Sequence, residues 1–251
     1  MKIILNLFVF LFIVLLVFSG CSKNESNPVN NTGSSAHGSD YLPLTSGQTF
    51  SGSVSGSQTV YDSAGNITDF SQINNQIYTG TFGVSSVIRG MNATPVFGND
   101  NNHSKLVGYL ASNNGEIIGI DKNASSDLAL ILPDELEVGK QWIANPQDPA
   151  NQQCKVTLVE FISSFTNSAG KTYQNVINLA FTYKDSVTEY YYGGYYYYDT
   201  KSMQGNLYLA KGIGVVGAKT DGCEEVEGWF SQYYGNYYQK TKVVGQIGII
   251  D

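Results

Sequence analysis

Val176-Ile177-Asn178-Leu179-Ala180-Phe181-Thr182-Tyr183 decides the fold class. Ile177, Leu179, Phe181 and Tyr183 fall on one side of an extended chain, and the intervening residues fall on the other. That period of two belongs to a strand with one buried face. Lys155, Thr157, Val159 and Phe161 alternate in the same way with Cys154, Val156, Leu158 and Glu160. Further strands are predicted at Thr49–Val54, Gln58–Asp62, Gln76–Val84, Lys105–Ala111, Glu116–Asp121, Leu128–Leu132, Gly205–Ala210 and Lys242–Ile250. Asn113-Asn114-Gly115, Ser168-Ala169-Gly170, Gly193-Gly194 and Gly235-Asn236 place residues tolerant of positive φ where hairpins need them. A sustained helical face is hard to find. The expected class is all-β, with antiparallel sheets forming a sandwich or an open half-barrel. The 212 residues from Asp40 onward are enough to bury roughly 70–75% of their unfolded surface, so no staple is obligatory.

Composition narrows the partners. The 251 residues carry 14 Lys+Arg against 21 Asp+Glu, a net charge of −7, and Arg89 is the only arginine. Nucleic-acid binding needs clustered cations, so it is not expected. Collagen, coiled coil and wholesale disorder are excluded by the lack of a Gly repeat, of heptads and of a charge-rich, apolar-poor profile.

The first residues read as an address. Met1-Lys2 is followed by an apolar run from Ile3 to Phe18, broken only by Asn6, and Ser19-Gly20 precede Cys21. This is a secretory signal over residues 1–20, too short to span a bilayer, which takes about 20 apolar residues. Phe18-Ser19-Gly20-Cys21 resembles the lipobox of bacterial lipoproteins, with Phe where the family usually has Leu. The resemblance implies cleavage after Gly20 and lipidation of Cys21, making the membrane a partner through acyl chains. Two or more such chains hold stably where one does not. Ser22 is not the Asp that favours inner-membrane retention, so the outer membrane is expected, on the periplasmic side or the cell surface. Ser22 to Ser39 has no aromatic residue and can bury nothing, so residues 21–39 read as the lipidated cysteine and a flexible tether. Its rms reach is about 24 Å.

A faint internal echo runs through the remaining body, residues 40–251. Leu42-Pro43-Leu44-Thr45-Ser46-Gly47-Gln48-Thr49-Phe50 is similar to Leu132 through Trp142, and each is followed by Ser-Ala-Gly, at Ser63–Gly65 and Ser168–Gly170. It suggests two half-sheets, about 40–139 and 140–251. The same residues resemble a group of uncharacterised bacterial β-rich lipoproteins. The shared segments are Pro43-Leu44-x-x-Gly47, the hairpin around Asn114-Gly115, Val138-Gly139-Lys140-Gln141-Trp142, the turn Asn167 to Val176, and Ala210-Lys211-Gly212-Ile213-Gly214-Val215-Val216. These are turns and strand starts, so the resemblance implies architecture and brings no functional residues with it.

Tyrosines are the most unusual candidate chemistry. Tyr190 to Tyr198 holds seven tyrosines around Gly193-Gly194, and Tyr233-Tyr234-Gly235-Asn236-Tyr237-Tyr238 repeats the design. Cross-strand aromatic pairing explains one face of such hairpins. Exposed tyrosines on the other face suit sugar stacking or protein contact. Tyr191, Tyr192, Tyr195 and Tyr196, with Tyr234 and Tyr237, are the expected ligand contacts. Cys154 and Cys223 are the thiols left after processing, and an exported location permits a disulfide between them. The run Asp221-Gly222-Cys223-Glu224-Glu225-Val226-Glu227 reads as a solvated acidic surface. Asp121 to Asp127 starts like a calcium loop but lacks its Gly and closing Glu, so no metal is expected. His37 in the tether and His103 in a polar loop are the only histidines, and neither has a nucleophile motif or ligand spacing around it. No catalytic residue and no cofactor is expected. The sequence therefore points to a lipid-anchored envelope protein, a non-catalytic binding or scaffold module contacting glycan or protein. The alternatives are a lipid- or hydrophobe-binding half-barrel and, behind it, a glycan-active enzyme.

Overall fold

A computed structural model describes residues 36–100, 103–122, 128–144, 153–191, 195–229 and 236–250. The expected signal segment and Cys21 lie outside the described residues. The first part of the chain contributes β1 (Ala36–His37), β2 (Thr49–Tyr61), β3 (Ile67–Phe82), β4 (Ser86–Ile88), β5 (Met91–Asp100), β6 (His103–Asn113), β7 (Glu116–Asp121), β8 (Leu128–Leu132) and β9 (Glu135–Leu136). The rest contributes β10 (Gln141–Ile143), β11 (Gln153–Thr166), β12 (Thr172–Tyr191), β13 (Tyr195–Ala210), β14 (Gly214–Trp229) and β15 (Asn236–Ile249).

The main sheet runs β10-β11-β12-β13-β14-β15-β2-β3-β5-β6-β7-β8, with β4 paired to β5, and it is antiparallel throughout and nearly closed into a barrel. The arc β10 to β15 is a meander of sequence neighbours, and the arc β2 to β8 is one except that β3 passes over β4 to pair with β5. They meet where the last strand, β15, pairs with β2 through Ile247↔Val54 and its neighbours. β1 and β9 form a separate two-stranded ribbon.

Alternation explains the interior. Leu179, Leu207, Ala218, Ile247 and Val54 are successive cross-strand partners from β12 to β2, and all are buried. Full burial of one aliphatic side chain contributes about 1.5–3 kcal/mol, so a row of this kind specifies register as well as stability. The cluster it belongs to gathers Phe50, also on β2, and Phe82, Leu110, Ile117, Leu132 and Leu158 from other strands.

One end of the barrel is closed by the start of the body. A 3-10 turn, Gly38–Tyr41, carries Tyr41 and Leu42 into the core. Its backbone is tied to the rim by Gly38 N–H to Asp134 O (2.8 Å), Ser39 N–H to Gly115 O (3.0 Å) and Gly212 N–H to Asp40 O (2.7 Å). The His37 Nδ1–H donates to Asp134 Oδ1 at 2.6 Å. Ala36 and His37, expected in the tether, thus form β1 and are joined to the body. Composition gave no sign of these contacts, because the segment is held by backbone bonds that small polar residues make as readily as any other.

The turn between β11 and β12 folds over the outer face. Phe165 stacks on Tyr208 with ring centroids 4.1 Å apart. Buried Asn167 donates from Nδ2 to Val216 O (2.8 Å) and Ile249 O (2.9 Å), and its Oδ1 accepts from Ala169 N–H (3.0 Å) and Lys171 N–H (3.1 Å). All four hydrogen-bonding positions of the amide are used.

The internal echo survives as turn chemistry. Gly47 N–H bonds Phe82 O and Phe82 N–H bonds Gln48 O, at 2.7 and 2.9 Å, while Gly139, Leu158 and Lys140 repeat the pattern at 2.8 and 3.0 Å. Asp62 Oδ1 accepts from Ala64 and Asn66 as Asn167 Oδ1 does from Ala169 and Lys171. The first Ser-Ala-Gly turn joins β2 to β3, whereas the second joins β11 to β12, with an extra strand between it and its glycine turn. The motifs recur without a recurring topology.

Candidate functional site

A belt of glycines crosses the long strands at one level. Phe181, Gly205, Thr220, Gly245, Gly56 and Ile73 are successive cross-strand partners on β12, β13, β14, β15, β2 and β3. The side of this row that shares the alternation of Leu207 and Ile247 faces the core. A Cβ at Gly56 would meet Val244 O and lie 3.0 Å from Gly245 Cα, and one at Gly205 would meet Lys219 O and lie 3.0 Å from the Phe181 ring. Neighbouring strands are pinched together here more closely than a side chain permits, the usual reason for glycine inside a strand at a barrel corner.

Along the belt lies a depression of about 780 Å³, within the range of ligand sites, lined by Phe181, Thr220 and Ile73 as well as the glycines. Its banks are the outward residues just above and below the glycines. They include Gln72, Gln204, Asn206, Gln246, Lys219 and Asp221, with Ser55, Ser57 and Thr182 between them. Gln204, Lys219, Asp221 and Gln246 are exposed. The groove runs across the strands, and its six-strand width corresponds to about 24 Å at the usual spacing.

Hydrogen bonding prepares part of the bank. Asn178 Nδ2 donates to Glu160 Oε1 at 3.1 Å, and Asn206 Nδ2 donates to Asn178 Oδ1 at 2.8 Å. Ser55 Oγ donates to Asn75 Oδ1 at 2.9 Å, on a bulge where Asn75 has φ 48°. Lys219 and Asp221 balance each other's charge on β14.

The expected ligand tyrosines lie elsewhere. The backbone pairs Tyr191 with Tyr195 and Tyr190 with Tyr196, Tyr196 pairs with Trp229, and Tyr237 pairs with Gly228. Both aromatic stretches therefore reach the same end of the sheet. Tyr191 is ten positions beyond Phe181 on β12, about 33 Å along the strand. Tyr192 and Tyr234 lie outside the described residues. Tyr238 donates its hydroxyl to Glu225 Oε1 at 2.6 Å, and Lys240 sits 3.2 Å from Glu225 Oε2. Those two hydrogen bonds hold the Glu225 carboxyl below its ordinary range.

Two expectations are corrected. Cys154 and Cys223 are thiols, not a disulfide. They sit on β11 and β14 with β12 and β13 between them, about 14 Å of sheet, whereas a bridge needs Cα atoms within about 7 Å. Burial pushes the Cys154 thiol up to about 11. The acidic run is not one solvated surface either. It lies in β14, whose alternation buries Glu224, 3.4 Å from Lys201 Nζ, while Asp221 and Glu225 stay outside. Among the described residues no group of three or more His, Cys, Asp or Glu could hold a metal ion. The expected calcium-like loop, 121–127, lies mostly outside the described residues.

Sequence reasoning missed the belt. Its only signal was glycine in or beside strand-like windows, Gly245 within one, Gly205 at the start of another and Gly56 between two, and alignment of the three appears only when register is known. No protein-family model matches the chain, and no curated protein is similar to it in sequence.

Proposed function

We propose that this chain is a lipid-anchored binding module of the bacterial cell envelope, non-catalytic, whose ligand lies in the outer groove over the glycine belt. The observation that carries the reading is the groove itself. A 780 Å³ depression is built from six strands, floored by glycine and banked by exposed polar side chains.

The anchoring part of the proposal rests on Phe18-Ser19-Gly20-Cys21 and the apolar run before it. The groove also favours this reading over a carrier of lipids within the barrel. A carrier needs an empty apolar concave face, whereas the inner rows here are filled by Leu179, Leu207, Ile247, Met203 and Val243, all buried.

The test is native mass spectrometry of the chain from Ser22, without the lipidated Cys21, incubated with total envelope extract. A retained mass that is lost in Ser57→Trp, which fills the groove from outside the core, is the expected result. A mass that persists in Ser57→Trp moves the site to the tyrosine end, and no retained mass removes the binding reading.

A further inference from the structure

We infer that the ligand of the belt groove is a neutral, polyhydroxylated chain, a glycan strand laid across β12 to β3. The inference rests on the binding reading above and deepens it.

Four properties of the groove select this chemistry. Its banks are dominated by amides, and Gln72, Gln204 and Gln246 make no hydrogen bond among the described residues. An amide side chain presents donors and an acceptor together, which matches hydroxyl groups that do the same. Asn206 is oriented by its bond to Asn178, so its Oδ1 is left as an acceptor. The second property is charge. Lys219 and Asp221 cancel, in a chain whose overall charge is −7. A polyanion would want cations in excess and a basic peptide would want acids in excess, and the groove offers neither.

Direction is the third property. Extended peptides are taken up along a strand, at a sheet edge whose backbone groups are open. This groove runs at right angles to six strands whose backbones are already paired with each other over the belt. The fourth is polarity. Val244, 53% exposed, is the large apolar side chain among the outward lining residues, while Phe181 and Ile73, also in the lining, pack with the core. A sugar ring needs a small flat contact and many hydrogen bonds, and the strand backbone along the belt row, whose side chains at Phe181, Thr220 and Ile73 turn to the core, supplies the flat contact.

The experiment titrates the same chain from Ser22 by calorimetry with linear neutral oligosaccharides of increasing length from the gluco, manno, galacto and N-acetylglucosamine series. At least one series should bind, with affinity rising with length and levelling once the groove's span of about 24 Å is filled. Raising the salt concentration should leave that affinity within about twofold, because no net charge is screened. Gln204→Leu with Gln246→Leu should weaken it about tenfold or more with an unchanged circular dichroism spectrum. Failure of every series overturns the inference. If envelope extract still yields a retained mass that Ser57→Trp abolishes, the binding reading stands and only the ligand class is wrong. If that capture fails too, both fall.

Discussion

Phe181 on β12 and Gly205 on β13 are direct cross-strand partners, and the Phe181 ring covers the place where a side chain on Gly205 would begin. Phe50 and Gly80 repeat the relationship between β2 and β3. In both pairs an aromatic ring shields a glycine that the bend of the sheet demands, a device that restores part of the packing glycine forfeits.

Gly205→Ala should be among the most damaging single-methyl additions in the chain. The new carbon meets the Lys219 carbonyl, which is backbone and cannot rotate away. A loss of about 2–3 kcal/mol is expected, typical of overpacking, read as a fall of roughly 5–10 °C in the thermal midpoint. Gly65→Val is not a fair control because its φ is 82°. Ser57→Ala, on the outer bank, should shift the midpoint by less than about 2 °C.

Asn167→Asp should destabilise by about 2–4 kcal/mol at neutral pH, since it removes two donors and sets a carboxylate against the Val216 and Ile249 carbonyls. Hydrogen exchange would localise the effect. Amides at the end of β15 and in the 167–171 turn should lose protection first, and a uniform loss over the whole sheet would contradict the assignment.

Lys201 and Glu224 form an ion pair at 3.4 Å with side chains 16% and 6% exposed. Lys201→Met alone leaves a buried carboxylate and should cost about 3–5 kcal/mol. Lys201→Met with Glu224→Leu should recover most of that loss in chemical denaturation. A double variant as unstable as the single would mean that the pair is not the main interaction of Glu224.

The thiols should differ in reactivity. Cys154 has its pKa raised to about 11 by burial. Cys223 is raised less, by burial first, with Lys240 and Lys242 pulling the other way. At pH 8 an alkylating reagent should modify Cys223 well before Cys154 in the native protein, because the thiolate is the nucleophile. Equal rates, or a reductant-sensitive band on a gel, would count against the separated thiols.

Alkali should find Tyr41 late. Burial, and secondarily Asp40, raises its pKa to about 12 from 10.0. The unfolded state loses this proton first, so its contribution is complete below pH 10 and is lost as pH rises towards 12. Tyr41→Phe should therefore show a smaller fall in stability between pH 10 and 12 than the parent chain.

Much of the fold was legible because alternation and turn chemistry are local. β7 and β8 match the expected windows residue for residue, and the turns at Gly115 and Gly170 carry the positive φ they need. β14 was not legible. Its acids read as surface until the strand's alternation divided them, and Gly217 and Gly222 diluted its apolar pattern. β3 was half missed because Asn74 and Asn75 interrupt the period at a bulge. The site was hidden for a deeper reason. Gly56 lies 149 positions from Gly205 and 189 from Gly245, and a long-range register has no signature in a single chain.

The pairing of β15 with β2 has a consequence for how the protein comes into being. A chain synthesised N-terminus first delivers β2 long before β15, so the inner edge of the first arc has no partner until β15 arrives. Each meander can zip along its own hairpins, but the sheet is completed only by its final residues. Truncation by a dozen residues at the C-terminus would thus open the middle of the sheet instead of trimming its margin. A rearranged chain that began at β10 and ended at β8, with its old termini joined, would fold the same sheet as one uninterrupted meander.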